Sequence, residues 1–308
     1  MSTSVSTALP VPVRVNNSDD PADILRFALN ALGGGGAALA TLVEIRGGAA
    51  RSLGAHLAVS SDGHYCGYLS GGCIEAAVAA EALKAMEEGR DRVIKYGEGS
   101  PFFDIVLPCG GGVTIAIHVL RATEALAIVL DQLADRQTVA LSHDPKSQAL
   151  THSKTVPPRS GWYEGSFVSV YRPQTCVVIS GQTAEADAVS RLAHASGYQV
   201  QLLSSSKDPN AIEIDRFTAV VLLHHDLDLE AAVLERALTS PAFYIGALGS
   251  TRTHRRRTEL LREAGVSSEN IDRIRAPIGL FGPTRDSASL ALSVLADVAA
   301  ARLEVFPS

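Results

Sequence analysis

The chain has 308 residues, which is enough for two domains of ordinary size. Hydrophobic side chains make up 46% of it and charged ones 19%, a balance that is typical of globular proteins and excludes a disordered chain. The formal net charge of −6 argues against a nucleic-acid-binding surface as the main function.

Three further features indicate location. No apolar run approaches the roughly 20 residues of a membrane-spanning helix. Residues 1–20 lack the basic start and apolar centre of a secretory signal. The spacing of the cysteines forms no disulfide framework: Cys66, Cys73, Cys109 and Cys176. We therefore expect a protein of the cytoplasm with neither membrane nor nucleic-acid partners.

The first half of the chain predicts a small mixed α+β domain over residues 21–172, preceded by a flexible tail over 1–20 that is rich in Ser, Thr, Asn and Asp. Asp20-Pro21 predicts a helix start because proline favours the first helical position. Helices are expected at 21–32, 74–88 and 126–133, and strands at 37–45, 55–59, 64–69, 92–96, 113–119, 138–142 and 166–171. The polar segment 143–165 is expected to be a surface excursion.

The second half alternates strands and helices, with a domain boundary expected at Arg172-Pro173. Strands are predicted at 175–180, 199–203, 219–223 and 243–247, and helices at 184–196, 229–238, 252–263 and 286–303. Alternating units with nearly continuous apolar strands favour a parallel, doubly wound, Rossmann-like sheet over residues 173–308. The fold class is therefore α/β, with the small mixed α+β domain first.

Two cysteines set in glycine are the strongest functional signal: Ser70-Gly71-Gly72-Cys73-Ile74-Glu75 and Pro108-Cys109-Gly110-Gly111-Gly112. Cys73 precedes a predicted helix, whose N terminus favours a thiolate or a ligand phosphate. Such a thiol could carry a persulfide or hold a soft metal. The alternatives are a tight strand-to-helix connection around a small core cysteine, and a hairpin end with an incidental thiol at Cys109. A zinc site is disfavoured because no Cys-x-x-Cys pair is present. No role is assigned to His56, His64 or His118.

Three turns of the second half lie where ligands bind in parallel sheets, after the carboxyl ends of strands. The first keeps only Gly181 of a G-x-G-x-x-G pattern and the following strand ends in serines, so dinucleotide binding stays open. His225 and Asp226 form an acid/base pair, or Asp226 caps the next helix. Gly249, Ser250 and Arg252 suit a phosphate at a helix start. Arg255, Arg256 and Arg257 are predicted to form a solvated helix face, with phosphate binding as the alternative.

Beyond the tail, most of the chain resembles the XdhC/CoxI family, accessory proteins of xanthine dehydrogenase and related molybdenum hydroxylases. In the first domain the resemblance rests on these motifs: Thr41-Leu42-Val43, Arg51, Gly54-Ala55, the two cysteine loops. In the second it rests on these: Gly181, His225-Asp226, Tyr244-Ile245-Gly246, Leu248-Gly249-Ser250, Arg252 and Ala276-Pro277-Ile278-Gly279-Leu280. The chain departs from the family at Gly181-Gln182-Thr183-Ala184, where Gly-Ala-Gly-His is common.

The resemblance implies a non-enzymatic, homodimeric chaperone that binds the molybdenum cofactor (molybdopterin), protects it during sulfuration by a cysteine desulfurase and inserts it into an apo-hydroxylase. Cys73 and Cys109 would contact the metal centre. The full set of expected cofactor-binding residues is Gly71, Gly72, Cys73, Glu75, Cys109, Gly110, Gly111, Gly181, His225, Gly249, Ser250 and Arg252. The alternatives are an NAD(P)-dependent oxidoreductase with His225 as acid/base, and a scaffold that bridges desulfurase and target.

Overall fold

The structure is a computed structural model that describes residues 9–97, 110–203 and 212–307. The chain divides into two compact units, with the division between Pro173 and Gln174. Within the described ranges, none of the helices combines the length and the apolar character that crossing a membrane requires.

The first unit contains two sheets and three helices in its described part. Its helices are α1 (Pro21–Gly33), α2 (Glu75–Glu88) and α3 (Glu124–Ala134). Its strands are β1 (Val13–Asn16), β2 (Ala37–Arg46), β3 (His56–Ser60), β4 (His64–Gly67), β5 (Arg92–Gly97), β6 (Gly112–Val119), β7 (Val139–Asp144), β8 (Ala149–His152), β9 (Gly161–Tyr163) and β10 (Ser166–Tyr171). The strand orders are β1-β4-β3-β2-β6-β5 and β8-β7-β10-β9.

Local sequence explains where the helices of this unit begin and end. Asp20 caps α1 by accepting a hydrogen bond of 2.7 Å from the backbone N–H of Ala22. Gly89 ends α2 with a φ of +67°, a conformation that favours glycine. The apolar face of α2 packs against one side of the six-stranded sheet, whereas α1 and α3 share a second core with β7. The expected mixed α+β fold is confirmed here.

Two predictions for this unit are wrong. The expected tail contains β1, which pairs in parallel with β4. Arg14 on β1 holds the pairing, because its Nη1 donates to the carbonyl of Gly67 at 2.8 Å and its guanidinium lies 4.1 Å from the ring centre of Tyr68. The expected surface excursion contains β8 and β9, which pair with β7 and β10. In both cases the strands are stabilised by pairing with neighbouring strands, so their own composition does not reveal them.

A buried hydrogen-bonded histidine lies between β2, β3 and β10. His56 Nδ1 lies 3.0 Å from Thr41 Oγ1, and its Nε2 lies 2.6 Å from the hydroxyl of Tyr171. Burial lowers the pKa of His56 from 6.5 to about 4, and burial also raises the pKa of Tyr171. The His56 ring is therefore neutral at physiological pH, which agrees with the absence of a predicted functional role.

This pKa shift predicts a pH-dependent stability. Above pH 6.5, the lowered pKa of His56 does not reduce the free energy of unfolding. As the pH drops from 6.5 toward 4, the free energy of unfolding falls, because the unfolded chain binds a proton at His56 that the folded chain does not. The loss attributable to His56 should approach about 3 kcal/mol near pH 4. Urea unfolding of wild type and His56→Gln at several pH values measures it. The variant should lose less between pH 7 and 4, whereas the exposed His64→Gln should behave as wild type; equal slopes for all three would contradict the assignment.

The second unit is a five-stranded parallel sheet with helices on both faces. Its strands are β11 (Cys176–Ser180), β12 (Gln199–Leu203), β13 (Thr218–Leu222), β14 (Tyr244–Ala247) and β15 (Ile274–Arg275). Its helices are α4 (Ala184–Ala195), α5 (Leu227–Thr239), α6 (Thr251–Glu263), α7 (Ser268–Ile271) and α8 (Ser287–Val305). The strand order is β12-β11-β13-β14-β15, with every pairing parallel, so the predicted doubly wound fold is confirmed.

The sheet of the second unit has its topological switch point between β11 and β13. From β11 the chain proceeds to β12 on one side and returns to β13 on the other. In such sheets the crevice at the carboxyl ends of these two strands is the usual ligand position. Helices α4 and α8 cover one face and α5 covers the other. The short elements α7 and β15 were not expected from the sequence.

Candidate functional site

The loop between β4 and α2 carries the cysteine with the strongest sequence signal. Cys73 is exposed, and its Sγ lies 3.4 Å from the hydroxyl oxygen of Ser70. Gly72 has a φ of +108°, which side chains of L-amino acids rarely adopt. Gly71 and Gly72 are themselves exposed, so a ligand can approach both the thiol and the adjacent backbone.

Glu75 holds this loop from inside the protein. Its side chain is buried, with 1% of the residue exposed. Oε1 accepts hydrogen bonds from the backbone N–H groups of Leu69 (3.1 Å) and Ser70 (2.8 Å), and Oε2 accepts one from Ile74 (3.2 Å). The Ser70 hydroxyl donates to both oxygens at 3.0 Å. The carboxylate is thus hydrogen-bonded within the protein and positions the loop, while the expected contact of Glu75 with the cofactor stays a prediction.

The electrostatics at the start of α2 differ from the expectation. No side chain in the described residues caps this N terminus, but the Glu75 carboxylate lies within the first turn and accepts the Ile74 N–H. The Glu75 carboxylate therefore already interacts with the positive end of the α2 helix dipole, which was expected to stabilise a thiolate or a phosphate. The arrangement therefore presents an accessible thiol and open backbone instead of an empty anion site.

Of the second glycine loop, the structure describes Gly110, Gly111 and Gly112. Gly110 has a φ of +68° and is exposed. Gly111 is buried, and a Cβ there would come within 3.0 Å of the carbonyl oxygen of Gly48. Gly71, in the first glycine loop, also lies beside the segment 47–51, since a Cβ at Gly71 would be 4.0 Å from the Cβ of Ala50. Both glycine loops therefore adjoin one segment.

The structure describes only one of the two predicted metal contacts, Cys73. Cys109, the second expected metal contact, lies outside the described residues. Among the residues that are described, one group of metal-ligating side chains converges, and it consists of Asp91, His118 and His143 without Cys73. Cys73 and Cys109 as joint contacts of a molybdenum centre remain a prediction.

At the switch point of the second unit, the ends of β11 and β13 approach each other closely. A Cβ at Gly181 would come within 3.1 Å of the Leu223 carbonyl oxygen, so glycine permits this close approach. Across the same edge, Ser180 Oγ lies 2.8 Å from His224 Nε2. Burial lowers the pKa of His224, outweighing the nearby carboxylates of Glu230 and Asp226. His224 is therefore a neutral ring that joins β11 to the end of β13.

Of four other residues that the sequence singles out at this edge, two cap helices and two are exposed. Asp226 accepts the N–H of Asp228 at 3.0 Å and caps α5, while His225 is exposed. Ser250 caps α6 by accepting the N–H of Thr253 at 3.2 Å. Arg252 is exposed on the first turn of α6. Asp226 therefore caps the next helix, as one of the two predicted alternatives has it, and an acid/base role of His225 stays a prediction.

One of the three adjacent arginines is not on a solvated face. Arg255 and Arg256 are exposed as expected, but Arg257 is 2% exposed. Arg257 Nε donates to Glu230 Oε1, and Nη2 donates to Glu230 Oε2 at 3.2 Å and to the Leu248 carbonyl at 2.8 Å. This ion pair ties α5, α6 and the turn at Gly249 together.

Sequence reasoning missed two residues of this edge for different reasons. The position of His224 just after the buried strand β13 is the signal for this residue. The sequence instead draws attention to the exposed His225, because it precedes Asp226. Glu230 gave no usable signal, because its partner Arg257 lies 27 positions away. Helical spacing within one element cannot reveal a pairing between two helices.

The fold and these loops define the class to which the protein belongs. Residues 177–298 match the model of the XdhC Rossmann domain, and residues 32–97 match the model of the XdhC and CoxI family. The chain belongs to the XdhC and CoxI family, and the predicted resemblance is confirmed.

Individual relatives extend this result over nearly the whole chain. The chain is 51% identical over 287 residues to the molybdenum cofactor insertion chaperone PaoD of Escherichia coli (strain K12), covering 93% of this chain and 90% of PaoD. It is 25% identical over 265 residues to the uncharacterized protein YqeB of the same organism, covering 85% of this chain and 42% of YqeB. A crystal structure of a xanthine dehydrogenase from Bacillus halodurans has a TM-score of 0.71, covering 92% of this chain and 96% of that one. At 18% identity, this last likeness shows the fold alone.

Proposed function

We propose that this protein binds a molybdenum cofactor as its cargo, protects it, assists its sulfuration and inserts it into an apo-hydroxylase of the xanthine dehydrogenase type. Two findings support the proposal. The chain is 51% identical to PaoD, a molybdenum cofactor insertion chaperone, over 93% of its length. It also belongs to the XdhC and CoxI family in both of its units.

The observation that carries the proposal is the exposed thiol of Cys73 on a loop fixed by the buried Glu75. Thiolates are the protein ligands that suit soft metal centres. The neighbouring exposed backbone at Gly71 and Gly72 leaves room for a bulky cargo to approach the sulfur. Because Glu75 sets the loop before any cargo arrives, little conformational entropy is lost on binding.

The partners follow from the cargo. A cofactor that is sulfurated on the chaperone needs a sulfur donor, which we propose to be a cysteine desulfurase, and delivery needs an apo-enzyme. We propose that Cys109 with Gly110 and Gly111 forms the second contact in the first unit. In the second unit, Gly181, His225, Gly249, Ser250 and Arg252 remain proposed cofactor-binding residues. A homodimer in the cytoplasm remains part of this proposal.

An NAD(P)-dependent oxidoreductase is less favoured by the geometry. Thr183 caps α4 by accepting the N–H of Ala186 at 3.3 Å, so its hydroxyl occupies donors that a pyrophosphate would need. A hydrogen bond from Thr183 also lowers the pKa of Glu185, which places a carboxylate charge at the same helix start. A second negative charge from a dinucleotide would be repelled there.

The test is the molybdenum content of protein purified from a host that produces the cofactor. Wild type should carry molybdenum, and Cys73→Ala should lose most of it because the exposed sulfur is removed. Cys66→Ala is the matched control, since Cys66 is fully buried and burial raises the pKa of its thiol. Its molybdenum content should equal that of wild type.

Three outcomes would contradict the proposal. Full molybdenum content in Cys73→Ala would remove Cys73 from the binding site. Wild type that captures the desulfurase and the apo-enzyme but never carries molybdenum would identify a scaffold instead of a chaperone. Thermal stabilisation by NADH without molybdenum binding would favour the oxidoreductase.

A further inference from the structure

The first unit contains a buried cluster of one carboxylate and two imidazoles that the proposed function does not use. Asp91 lies between α2 and β5, His118 lies on β6 and His143 lies on β7. Their side chains are 6%, 6% and 8% exposed. Each contributes a metal-ligating atom, and the three atoms lie within 4.8 Å of one another.

The two rings face the same oxygen. His118 Nδ1 lies 2.7 Å and His143 Nε2 lies 2.8 Å from Asp91 Oδ2. Both ring nitrogens therefore point toward one oxygen of a carboxylate whose side chain is only 6% exposed.

The other carboxylate oxygen is held by the backbone and by an arginine. Asp91 Oδ1 accepts the N–H of Val119 at 3.1 Å and Nη1 of Arg121 at 3.2 Å. Arg121 also donates to the carbonyls of Val119, Gly89 and Gln148, so it fixes the surrounding turns. Oδ2 is consequently left to the two imidazoles, in the manner of a ligand oriented by outer hydrogen bonds.

We propose that Asp91, His118 and His143 form a binding site for a zinc-type divalent cation. Two imidazoles and one carboxylate suit zinc, cobalt or nickel, whereas magnesium and calcium prefer oxygen ligands alone. Around a tetrahedral zinc ion with bonds of about 2.1 Å, ligand atoms lie about 3.4 Å apart, so the separations of 2.7 and 2.8 Å from Oδ2 to the two ring nitrogens would lengthen by about 0.6–0.7 Å. Each neutral ring would bind the cation through a nitrogen lone pair, with its N–H moved to the other ring nitrogen, and water would fill the fourth position.

The site would connect the two sheets of the first unit. His118 belongs to the six-stranded sheet and His143 to the four-stranded one. A cation bound only by the folded unit would stabilise it in proportion to its occupancy. The positive charge of Arg121 opposes cation binding, but it lies against Oδ1 on the side away from the rings. We therefore expect micromolar affinity with a stabilising effect, and no part in holding the molybdenum cargo.

Cobalt titration of chelator-treated full-length protein tests the proposal. One equivalent of Co²⁺ should bind with ligand-field bands and without the intense near-ultraviolet band of a cobalt–thiolate bond. Added zinc should displace it and raise the midpoint of thermal unfolding. His143→Gln should weaken cobalt binding by about 100-fold or more. His64→Gln is the matched control, since His64 lies 2.9 Å from Asp62 at the surface, and it should bind as wild type does.

The outcomes separate this site from the cysteine loop. Absence of stoichiometric binding to wild type, unchanged binding in His143→Gln, or a thiolate band would each overturn the proposal. If His143→Gln does not fold, X-ray absorption of the zinc-loaded wild type decides: nitrogen and oxygen neighbours with imidazole scattering support the site, and a sulfur shell overturns it. Molybdenum content plays no part in these measurements, so the two proposals stand or fall separately.

Discussion

Replacing Glu75 with alanine is expected to release the Cys73 loop and to destabilise the first unit. The substitution leaves the buried N–H groups of Leu69, Ser70 and Ile74 without their acceptor. At about 1–3 kcal/mol for each unpaired buried donor, the loss from three donors should be about 3 kcal/mol or more. Because the loop then loses its fixed conformation, bound molybdenum should fall together with stability.

Glu75→Gln separates the charge from the hydrogen bonds. An amide keeps one acceptor oxygen, which suits the Leu69 and Ser70 donors on Oε1, but its NH₂ group faces the N–H of Ile74. We expect a smaller loss of about 1–3 kcal/mol. Urea unfolding gives both values, and the rate of Cys73 alkylation reports the loop conformation. Both variants should change that rate.

The matched control is Glu87→Gln, which removes a carboxylate charge from the exposed surface of the same helix. Surface substitutions of this kind change stability by about 0.5 kcal/mol or less. If Glu75→Ala resembled Glu87→Gln in stability and in Cys73 alkylation, the positioning role of Glu75 would be wrong. Loss of molybdenum without any change in alkylation would instead indicate direct contact between Glu75 and the cargo.

Much of the fold follows from local sequence in this protein. Helices α1 and α2 are bounded by Asp20 and Gly89, whose capping chemistry is visible in the sequence. The alternation after Pro173 predicts a parallel sheet because the central strands β11, β13 and β14 are buried on both faces. Strand β1 escapes such reasoning, since Val13 and Val15 are exposed and the strand depends on Arg14 reaching β4.

The candidate site likewise contains features that the sequence predicts and features that it does not. The exposure of Cys73 is predictable, because the glycines before it leave no neighbouring side chains to bury the sulfur. The role of Glu75 is not, because an acidic residue in a first helical turn is ordinarily solvated, and only the fold shows it turning back to the loop. The cluster of Asp91, His118 and His143 is not predictable either, because two of its members lie on strands of different sheets and the third lies in the turn before β5.

In the second unit, replacing Arg257 with methionine is expected to cause a large loss of stability. Glu230 is 1% exposed, and without Arg257 its carboxylate stays buried with no compensating charge. Breaking a buried pair in this way typically costs about 3–5 kcal/mol. The carbonyl of Leu248 also loses a donor, so the turn that carries Gly249 should become less ordered.

The double variant Arg257→Met with Glu230→Leu tests whether the penalty comes from the unpaired charge. Apolar replacement of both partners removes the buried carboxylate and should recover most of the loss, because the net contribution of a buried pair is small. Arg256→Met on the same helix is the control, with an exposed side chain and an expected change of about 0.5 kcal/mol or less. Urea unfolding of wild type, Arg257→Met, Glu230→Leu and the double variant gives the coupling free energy. Equal losses in the Arg257 and Arg256 variants, or a double variant as unstable as the sum of its single substitutions, would show that the pair does not hold α5 and α6 as the structure indicates.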